Sequence, residues 1–365
     1  MRNILYVLIL LAAAPAASGQ GCVAIRSNGS ACTITGAHDP ANARNWVVAL
    51  NSRYFKSYKH FVGTEEQKER VEAGTEVINH TFSTEVGLTR NFNPRWSAAL
   101  FVPLTSNARS SMYEHYGNSS KSPNARRSTH SFGLGDLRLA AYYWLLDPAR
   151  MSKGNVQLGL GLKLPTGDYR YSDYFYKNDS TKILGPVDQS IQLGDGGTGL
   201  TLEANSYLSL TRKTGLYFNG YYLANPREQN GVSTARGGTP SATAIAYGSD
   251  VMSVPDQYMV RAGASYHAGS LTLSGGARLE CVPAEDLIGG SNGFRRPGYV
   301  LSAEPVAAWK MKRTQLYLSV PVALVRDRTQ SVPDKIRTAK TGVYAQGDAA
   351  FADYSINAGI AFALK

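Results

Sequence analysis

The sequence has few cysteines, few charged residues and no long apolar run beyond its first residues. Of its 365 residues, 3 are cysteine, 6 are histidine and 18% are charged. After residue 20 no stretch approaches the roughly 18 apolar residues of a spanning helix, so no helix is predicted to hold the chain in a bilayer. A nucleotide-binding motif and an N-terminal energy-coupling segment are also lacking, which favours a function that needs no energy source.

The basic charge of the chain does not indicate a nucleic-acid partner. The formal net charge is +11, from 38 Lys and Arg against 27 Asp and Glu. A nucleic-acid-binding domain concentrates its basic residues on one element or one face. Here they are scattered and no nucleic-acid-binding motif is present, so we predict no such partner.

The first residues predict export. MRNILYVLILLAAAPAASGQ has one charge, at Arg2, then an apolar stretch and then small residues, which is typical of a signal peptide. We predict that residues 1–19 are removed by cleavage after Gly19. Cys22 and Cys32 lie in a short polar segment and are predicted to form a disulfide in an oxidising compartment. The third cysteine, Cys281, is predicted to be a small packed side chain at a strand end.

The rest of the chain is rich in residues that alternate between apolar and polar. In NVQLGLGLKLPTGD, Leu158, Leu160 and Leu162 alternate with glycine and with Lys163. A period of two predicts a β-strand, because successive side chains point to opposite faces. The chain carries twelve such segments, at residues 45–55, 82–92, 96–105, 135–145, 156–164, 200–210, 216–224, 258–266, 271–279, 301–309, 316–324 and 354–364.

The connections between these segments alternate between short and long. Five strands end near a long connection with a proline: Pro103, Pro165, Pro226, Pro283 and Pro321. An even strand number with this alternation predicts an all-β fold, a closed antiparallel transmembrane β-barrel of about 12 strands with short periplasmic turns and long extracellular loops. A secreted sandwich or propeller is the alternative, but its outward faces should be polar. We therefore predict a periplasmic segment at 20–44 and a barrel at 45–365, in contact with lipid of the bacterial cell outer membrane.

Two motifs carry a resemblance to a known family. FGLGDLRLAAYYWLL (residues 132–146) and LGLGLKLPTGD (residues 158–168) contain G-L-G-D-L-x-L followed by L-P-T-G-D. They resemble the outer-membrane proteins assigned to the MetA pathway of phenol degradation, as does DQSIQLGDGG at residues 188–197. The resemblance covers about two thirds of the chain. It implies an outer-membrane barrel that passes small, hydrophobic molecules, and it implies no catalytic residues.

The alternation also predicts which charged residues line the lumen. There are five basic and five acidic ones: Arg53, Arg138, Lys163, Arg261 and Arg278, with Glu85, Asp136, Glu203, Glu280 and Glu304. On one interpretation they pair across strands and stiffen the wall, because an unpaired charge in a narrow lumen is costly. On the other they form a selectivity filter. Since Asp136 and Arg138 are two residues apart, we expect that loss of Arg138 leaves Asp136 unpaired.

The connection at 166–197 is the longest and is rich in tyrosine and aspartate. Tyr169, Tyr171, Tyr174 and Tyr176 offer flat faces with a polar tip, which suit aromatic or sugar ligands. A loop that packs on its neighbours as a lid is the alternative. The spacing of its aspartates matches no calcium loop, so we predict no metal site and no cofactor.

These observations predict passive passage or binding of a small solute, including a hydrophobic or aromatic one, in a porin-like barrel. A structural or adhesive barrel without transport is the first alternative. An outer-membrane hydrolase is the second, based on His130 beside Ser131 and on His80 near Glu85. Neighbours on a strand point to opposite faces, so the pairing of His130 with Ser131 is geometrically poor. We predict that the protein is not an enzyme. Oligomeric state has no signature in the sequence.

Overall fold

Twelve antiparallel strands form one closed barrel in the part of the chain that the structure describes. The structure is a computed structural model and describes residues 45–115, 120–151 and 153–364. The predicted signal peptide and the predicted Cys22–Cys32 disulfide lie outside the described residues. The first and last strands pair with each other, for example Val48 with Phe362, which closes the barrel. The predicted fold class is confirmed.

The barrel strands are numbered here in chain order. They are β1 (Trp46–Val62), β2 (Ile78–Asn91), β3 (Trp96–Met112), β4 (Arg126–Leu134 and Arg138–Trp144), β5 (Gly154–Lys163), β6 (Gly199–Ser209), β7 (Thr214–Ala224), β8 (Gln257–Ala268), β9 (Leu271–Val282), β10 (Gly298–Met311), β11 (Thr314–Ser319 and Val322–Asp327) and β12 (Ala349–Ala363). Each pairs with its neighbours in sequence order, so the topology is a simple up-and-down barrel.

The two faces of the wall differ as the alternation predicts. Along β5, Leu158 and Leu160 are exposed on the outside, while the intervening residues are buried inside. Soluble proteins rarely expose a continuous apolar surface of this extent, whereas a lipid-facing belt requires one. Aromatic side chains are exposed near the short-turn end of this belt: Trp46, Phe92, Trp96, Trp309 and Phe362.

The connections alternate in length around the barrel. Short turns lie at 92–95, 145–153, 210–213, 269–270 and 312–313, and long loops at 63–77, 113–125, 164–198, 225–256, 283–297 and 328–348. The loops contain helices α1 (Lys68–Glu72), α2 (Ala242–Tyr247) and α3 (Val332–Thr341), 3-10 turns at Tyr113–His115 and Gln189–Ile191, and short strands at Glu65–Glu66, Ser172–Tyr176, Lys182–Pro186, Gln229–Ser233 and Val251–Ser253. Among the described residues, no helix is both long enough and apolar enough to cross a membrane.

Several strands extend further toward the long loops than the sequence predicts. β1 continues to Val62 and β3 to Met112, each well past the end of the apolar alternation. In these extensions polar side chains such as Asn107 and Arg109 occupy the inner face of the wall. Apolar alternation therefore marks only the lipid-facing height of the barrel.

Two strands are interrupted, each opposite a proline of the preceding strand. The break in β4 faces Pro103 of β3, whose carbonyl accepts a hydrogen bond from Gly135 at 2.8 Å. The break in β11 faces Pro305 of β10, whose carbonyl accepts from Val320 at 3.2 Å. Proline has no N–H to donate to the ladder, so the neighbouring strand loses its partner and leaves the sheet there.

The seam between β11 and β12 is held mainly by side chains near the long loops. In the described chain, the Val322–Asp327 segment of β11 pairs with β12 only through Val322 and Tyr354. Arg326 spans the gap, donating to the Ala352 carbonyl at 3.1 Å and to the Asp353 carboxylate at 2.6 Å. A guanidinium group thus supplies the donors that a backbone ladder would otherwise provide.

Candidate functional site

The ten charged residues predicted to line the lumen have side chains buried inside the barrel. Arg53, Arg261, Arg278 and Glu304, for example, are at most 4% exposed. Asp136 lies in the break of β4, and its side chain is also turned inward, 5% exposed. Side-chain burial and strand parity therefore place all ten on the inner surface of the wall.

A chain of ion pairs crosses the lumen at mid-height. Arg53 of β1 donates two hydrogen bonds to the Glu280 carboxylate of β9, at 2.9 and 2.8 Å. Arg278 joins Glu280 at 3.0 Å and Glu304 at 3.2 Å. Strands β1 and β9 are not neighbours, so the Arg53–Glu280 pair spans the lumen from one part of the wall to another.

This bridge lies between two cavities. The larger holds about 1030 Å³ of space, part of it open to solvent, and is lined mainly by β1 to β5 and by the loop at 164–198. The smaller holds about 490 Å³, also partly open to solvent, and lies beside β10, β11 and β12. Arg53 lines both cavities. The lumen is therefore narrow and subdivided, as expected for twelve strands with inward charged side chains.

Four of the remaining lumen charges form two further groups on the other side of the barrel, while Arg261 lies 3.7 Å from Glu304 in the first chain. Arg138 pairs with Glu203, and the Tyr142 hydroxyl donates to the same carboxylate at 2.9 Å. Lys163 contacts Asp195 and lies 3.7 Å from Asp136. The expectation that Arg138 pairs with Asp136 is wrong. Asp136 instead accepts from the backbone N–H of Gly167 at 2.9 Å, because the break in β4 turns it toward the loop.

Part of the longest loop folds into the barrel. This inward segment, residues 187–197, buries Val187, Ile191 and Leu193. The Ile191 carbonyl accepts hydrogen bonds from Ser131 of β4 and from Asn107 of β3. Two strands of the wall therefore hold the tip of the segment above the larger cavity.

Two glycines allow the inward segment to pack closely on the start of its own loop. A Cβ atom at Gly194 would lie 2.5 Å from the Gly167 carbonyl oxygen and 2.6 Å from an Asp136 oxygen. Real Cβ atoms do not approach other atoms this closely, so only glycine fits without displacement. Gly167 and Gly194 belong to the LPTGD and LGDGG motifs, which explains in physical terms why glycine recurs there.

Asp188 joins the inward segment to two other long loops. Its carboxylate accepts from Arg296 at 2.8 and 2.7 Å and from Arg236 at 3.3 Å, and it lies 3.8 Å from Arg109 of β3. Glu114 contacts Arg236 at 2.6 Å in the same cluster. Burial opposes the ionisation of Asp188, but the guanidinium groups of Arg296 and Arg109 outweigh it and hold its pKa well below the usual range.

The sequence contained one signal for this segment that the alternation did not use. Val187, Ile191 and Leu193 are aliphatic residues close together in a long loop, and a group of this kind needs an apolar site to pack in. Asp188 and its arginine partners come from four separate parts of the chain. Their association depends on the closed barrel, so no local pattern could indicate it.

The four tyrosines predicted as ligand contacts do not meet at one site. Tyr174 is exposed and lies 4.1 Å from the Lys182 ammonium group, and Tyr176 lies 4.8 Å from the Arg127 guanidinium group. Tyr169 is flanked by Arg170 and Arg227. Tyr171 is half-buried, and none of the four lines the larger lumen cavity. Most of these rings are engaged in cation–π contacts that stiffen the loops.

The histidines considered for hydrolysis are separated from their candidate partners. Ser131 is buried and donates to the Ile191 carbonyl, whereas the His130 side chain is 64% exposed. His80 contacts the Tyr54 hydroxyl at 2.9 Å on the outer surface, while Glu85 is buried inside. Among the described residues, no group of three or more His, Cys, Asp or Glu side chains could hold a metal ion.

No protein-family model matches the chain, and no curated protein matches its sequence. Among solved structures, the fold is similar to the COG4313 outer membrane channel from Pseudomonas putida F1, with a TM-score of 0.55 and 12% identity over 90% of this chain and 100% of that chain. The TodX deltaS2S3 mutant monoaromatic hydrocarbon channel gives 0.43 and 11%, over 95% of each chain. The translocator domain of the autotransporter NalP from Neisseria meningitidis gives 0.45 and 12%, over 91% of each.

The fold is a closed twelve-stranded antiparallel barrel like those of bacterial outer-membrane proteins. The first of these structures and the strand topology both support it. The predicted localisation in the bacterial cell outer membrane agrees with this fold and with the apolar belt around the barrel.

Proposed function

We propose that the protein is a passive channel that binds and passes a small organic solute across the outer membrane. The observation that carries the proposal is the cavity beneath the inward segment, which is lined by apolar side chains together with a few polar and charged ones. A lining of this composition is typical of small-molecule sites. A solute that enters from the long-loop end would pass the Asp188 cluster and then meet this cavity.

The lining of the cavity suits a solute with a sizeable apolar body. Phe55, Pro103, Leu193, Tyr221 and Leu223 contribute apolar surface. Most charges in the wall are paired, so their fields largely cancel, and the desolvation of a neutral solute costs less than that of an ion. The resemblance to the MetA-pathway family and the likeness to a channel fold both support solute passage of this kind.

Planar-bilayer recordings test the proposal directly. The purified full-length chain should give small, salt-dependent conductance steps, and small aromatic solutes should reduce them as they occupy the lumen. A linear oligosaccharide, which is too wide for the subdivided lumen, should have no effect and serves as the control. Bilayers that stay silent with wild-type protein, at every pH and voltage, would contradict a channel.

One observation favours a structural barrel without transport. The inward segment and the Arg53–Glu280 bridge together obstruct the lumen. If both obstructions are permanent, the barrel passes no solute and has only a structural role in the membrane. Asp188→Asn weakens the contacts of the inward segment with two other loops, so continued silence of this variant would favour the structural role.

A further inference from the structure

The larger of the two lumen cavities contains buried polar atoms that have no hydrogen-bond partner among the described residues. Glu85 Oε1 and Asn79 Oδ1, both on β2, are unpaired acceptors, and Arg138 Nη2 on β4 is an unpaired donor. All three residues line the same cavity and are buried, with Asn79 and Arg138 each 4% exposed and Glu85 6% exposed. Buried polar groups are nearly always satisfied, so atoms left open in this way indicate a missing partner.

Glu85 differs from the other acidic residues of the lumen wall. Glu203, Glu280 and Glu304 each have an arginine partner, and Asp136 lies near Lys163. No cation lies within ion-pair distance of Glu85 in the described chain, although it is only 6% exposed. A carboxyl group that is buried without a partner is costly, so the presence of Glu85 in this cavity points to a ligand.

We propose that Glu85 and Arg138 bind the hydroxyl group of a small, neutral aromatic or aliphatic alcohol, whose apolar body lies against Phe55, Tyr221 and Leu223. A hydroxyl group is both donor and acceptor, so it can donate to Glu85 and accept from Arg138. Glu85 is opposite Pro103 of β3 and Arg138 is opposite Phe101, so their backbones are two strand spacings and two residues apart, roughly 12 Å, and their side chains extend into the cavity between them.

The charges around the site exclude two other ligand classes. A carboxylate would be repelled by Glu85 and by the nearby Glu203. An ammonium group would be repelled by Arg138, and it could not use the open donor of that residue. A hydrocarbon without a polar group would fill the apolar part of the cavity but leave all three polar atoms unsatisfied. The inference rests on the proposed function, because the ligand reaches the cavity only if the lumen admits it.

Four probes with the same ring test the assignment: benzyl alcohol, toluene, benzylamine and benzoate. We would measure their binding to the purified full-length chain in detergent by calorimetry. Two hydrogen bonds to charged groups in a buried site predict that benzyl alcohol binds at least roughly tenfold more tightly than toluene. Benzylamine and benzoate should bind more weakly than toluene.

Substitutions at Glu85 then separate the hydrogen bond from the cavity. Glu85→Met keeps the length of the side chain without an acceptor, so the advantage of benzyl alcohol over toluene should fall severalfold, to what the hydrogen bond from Arg138 provides alone. Glu85→Gln keeps an acceptor and should preserve the advantage. Thr84→Val is the control, because Thr84 is the next residue on the strand and faces outward, bonded to Ser52 at 3.0 Å. Retention of the heat-modifiable barrel on gels establishes that each variant is folded.

The outcomes distinguish this site from the channel itself. Equal binding of toluene and benzyl alcohol to wild-type protein would overturn the assignment and indicate that water satisfies the open atoms. Tightest binding of benzylamine would overturn it in favour of a cation site. Wild-type conductance without saturable binding of any probe would reject this site and leave the channel function standing. Neither conductance nor binding would reject both.

Discussion

The packing of three long loops against one another depends on the Asp188 carboxylate. Replacing it by asparagine removes a charge that faces Arg296, Arg236 and Arg109 in a buried cluster. Loss of one partner from such a cluster leaves buried charge uncompensated, at a cost of about 3 kcal/mol. We expect Asp188→Asn to release the inward segment and raise single-channel conductance severalfold in planar bilayers.

Asp168→Asn is the matched control for that variant. Asp168 lies in the same loop and is exposed, and its carboxylate accepts a local hydrogen bond from the Arg170 backbone N–H at 2.9 Å. It should leave conductance unchanged. If both variants conduct alike, the Asp188 cluster does not hold the segment in place.

The depressed pKa of Asp188 lets us predict how conductance changes at acidic pH. A carboxyl group whose folded-state pKa is depressed contributes stability above its unfolded pKa, and this is lost as the pH falls through the folded-state value. For Asp188 the folded-state pKa lies well below 3.8, and that of Glu114 is also lowered despite its burial, by Arg109 and Arg236. Conductance should therefore be constant from pH 7 to about pH 5 and rise below about pH 4. A rise centred near pH 6 would contradict this origin.

At the scale of elements, the inward segment depends on the close approach of two glycines. Gly194→Ala places a methyl group 2.5 Å from the Gly167 carbonyl oxygen, so one side must move. Overpacking of this kind costs about 1–3 kcal/mol. We expect the segment to withdraw and proteases to cleave the loop at 164–198 faster, with the barrel itself still folded. Gly275→Ala is the control, since a Cβ atom there meets nothing within 4 Å. Equal cleavage of the two variants would count against the packing argument.

The seam between β11 and β12 gives a second prediction for an element. Arg326→Ala removes the two hydrogen bonds that span the gap, to Ala352 and Asp353. Charge-assisted bonds of this kind, partly exposed, contribute about 1–2 kcal/mol together. The midpoint of urea unfolding should fall accordingly. Lys335→Ala breaks an ion pair with Glu285 whose side chains are 47% and 63% exposed, and it should have almost no effect. If Arg326→Ala changes the unfolding midpoint as little as Lys335→Ala does, backbone pairing alone suffices to hold the seam.

The elements also show which parts of the fold the sequence predicts. Each of the twelve strands is found where apolar residues alternate, because lipid contact imposes that pattern on the residues themselves. The breaks opposite Pro103 and Pro305 were not predicted, since a missing N–H matters only once the neighbouring strand is known. The pairing of Arg138 with Glu203 rather than Asp136 was missed for the same reason. The ion-pair partners of a residue across a barrel depend on strand register and on strand breaks, and the alternation along a single strand predicts neither.

At the scale of the whole molecule, the distribution of charge sets the ion selectivity. The ten lumen residues balance, five against five, but Asp195 of the inward segment adds a sixth acid beside Lys163. At the mouth, Arg109, Arg236 and Arg296 face Asp188 and Glu114, an excess of one basic residue. The two excesses have opposite sign, so the pore should discriminate only weakly between anions and cations.

Two variants shift this balance in opposite directions. Arg138→Ala leaves Glu203 without its partner, with Glu85 nearby, and should make the pore prefer cations. Glu203→Gln leaves Arg138 uncompensated and should make it prefer anions. Reversal potentials in a tenfold salt gradient measure both effects against wild type. Strong anion selectivity of the wild-type pore would show that basic residues of the short turns, such as Arg212, Lys213, Lys312 and Arg313, dominate the field. In that case the paired charges of the wall would serve chiefly to stiffen the barrel.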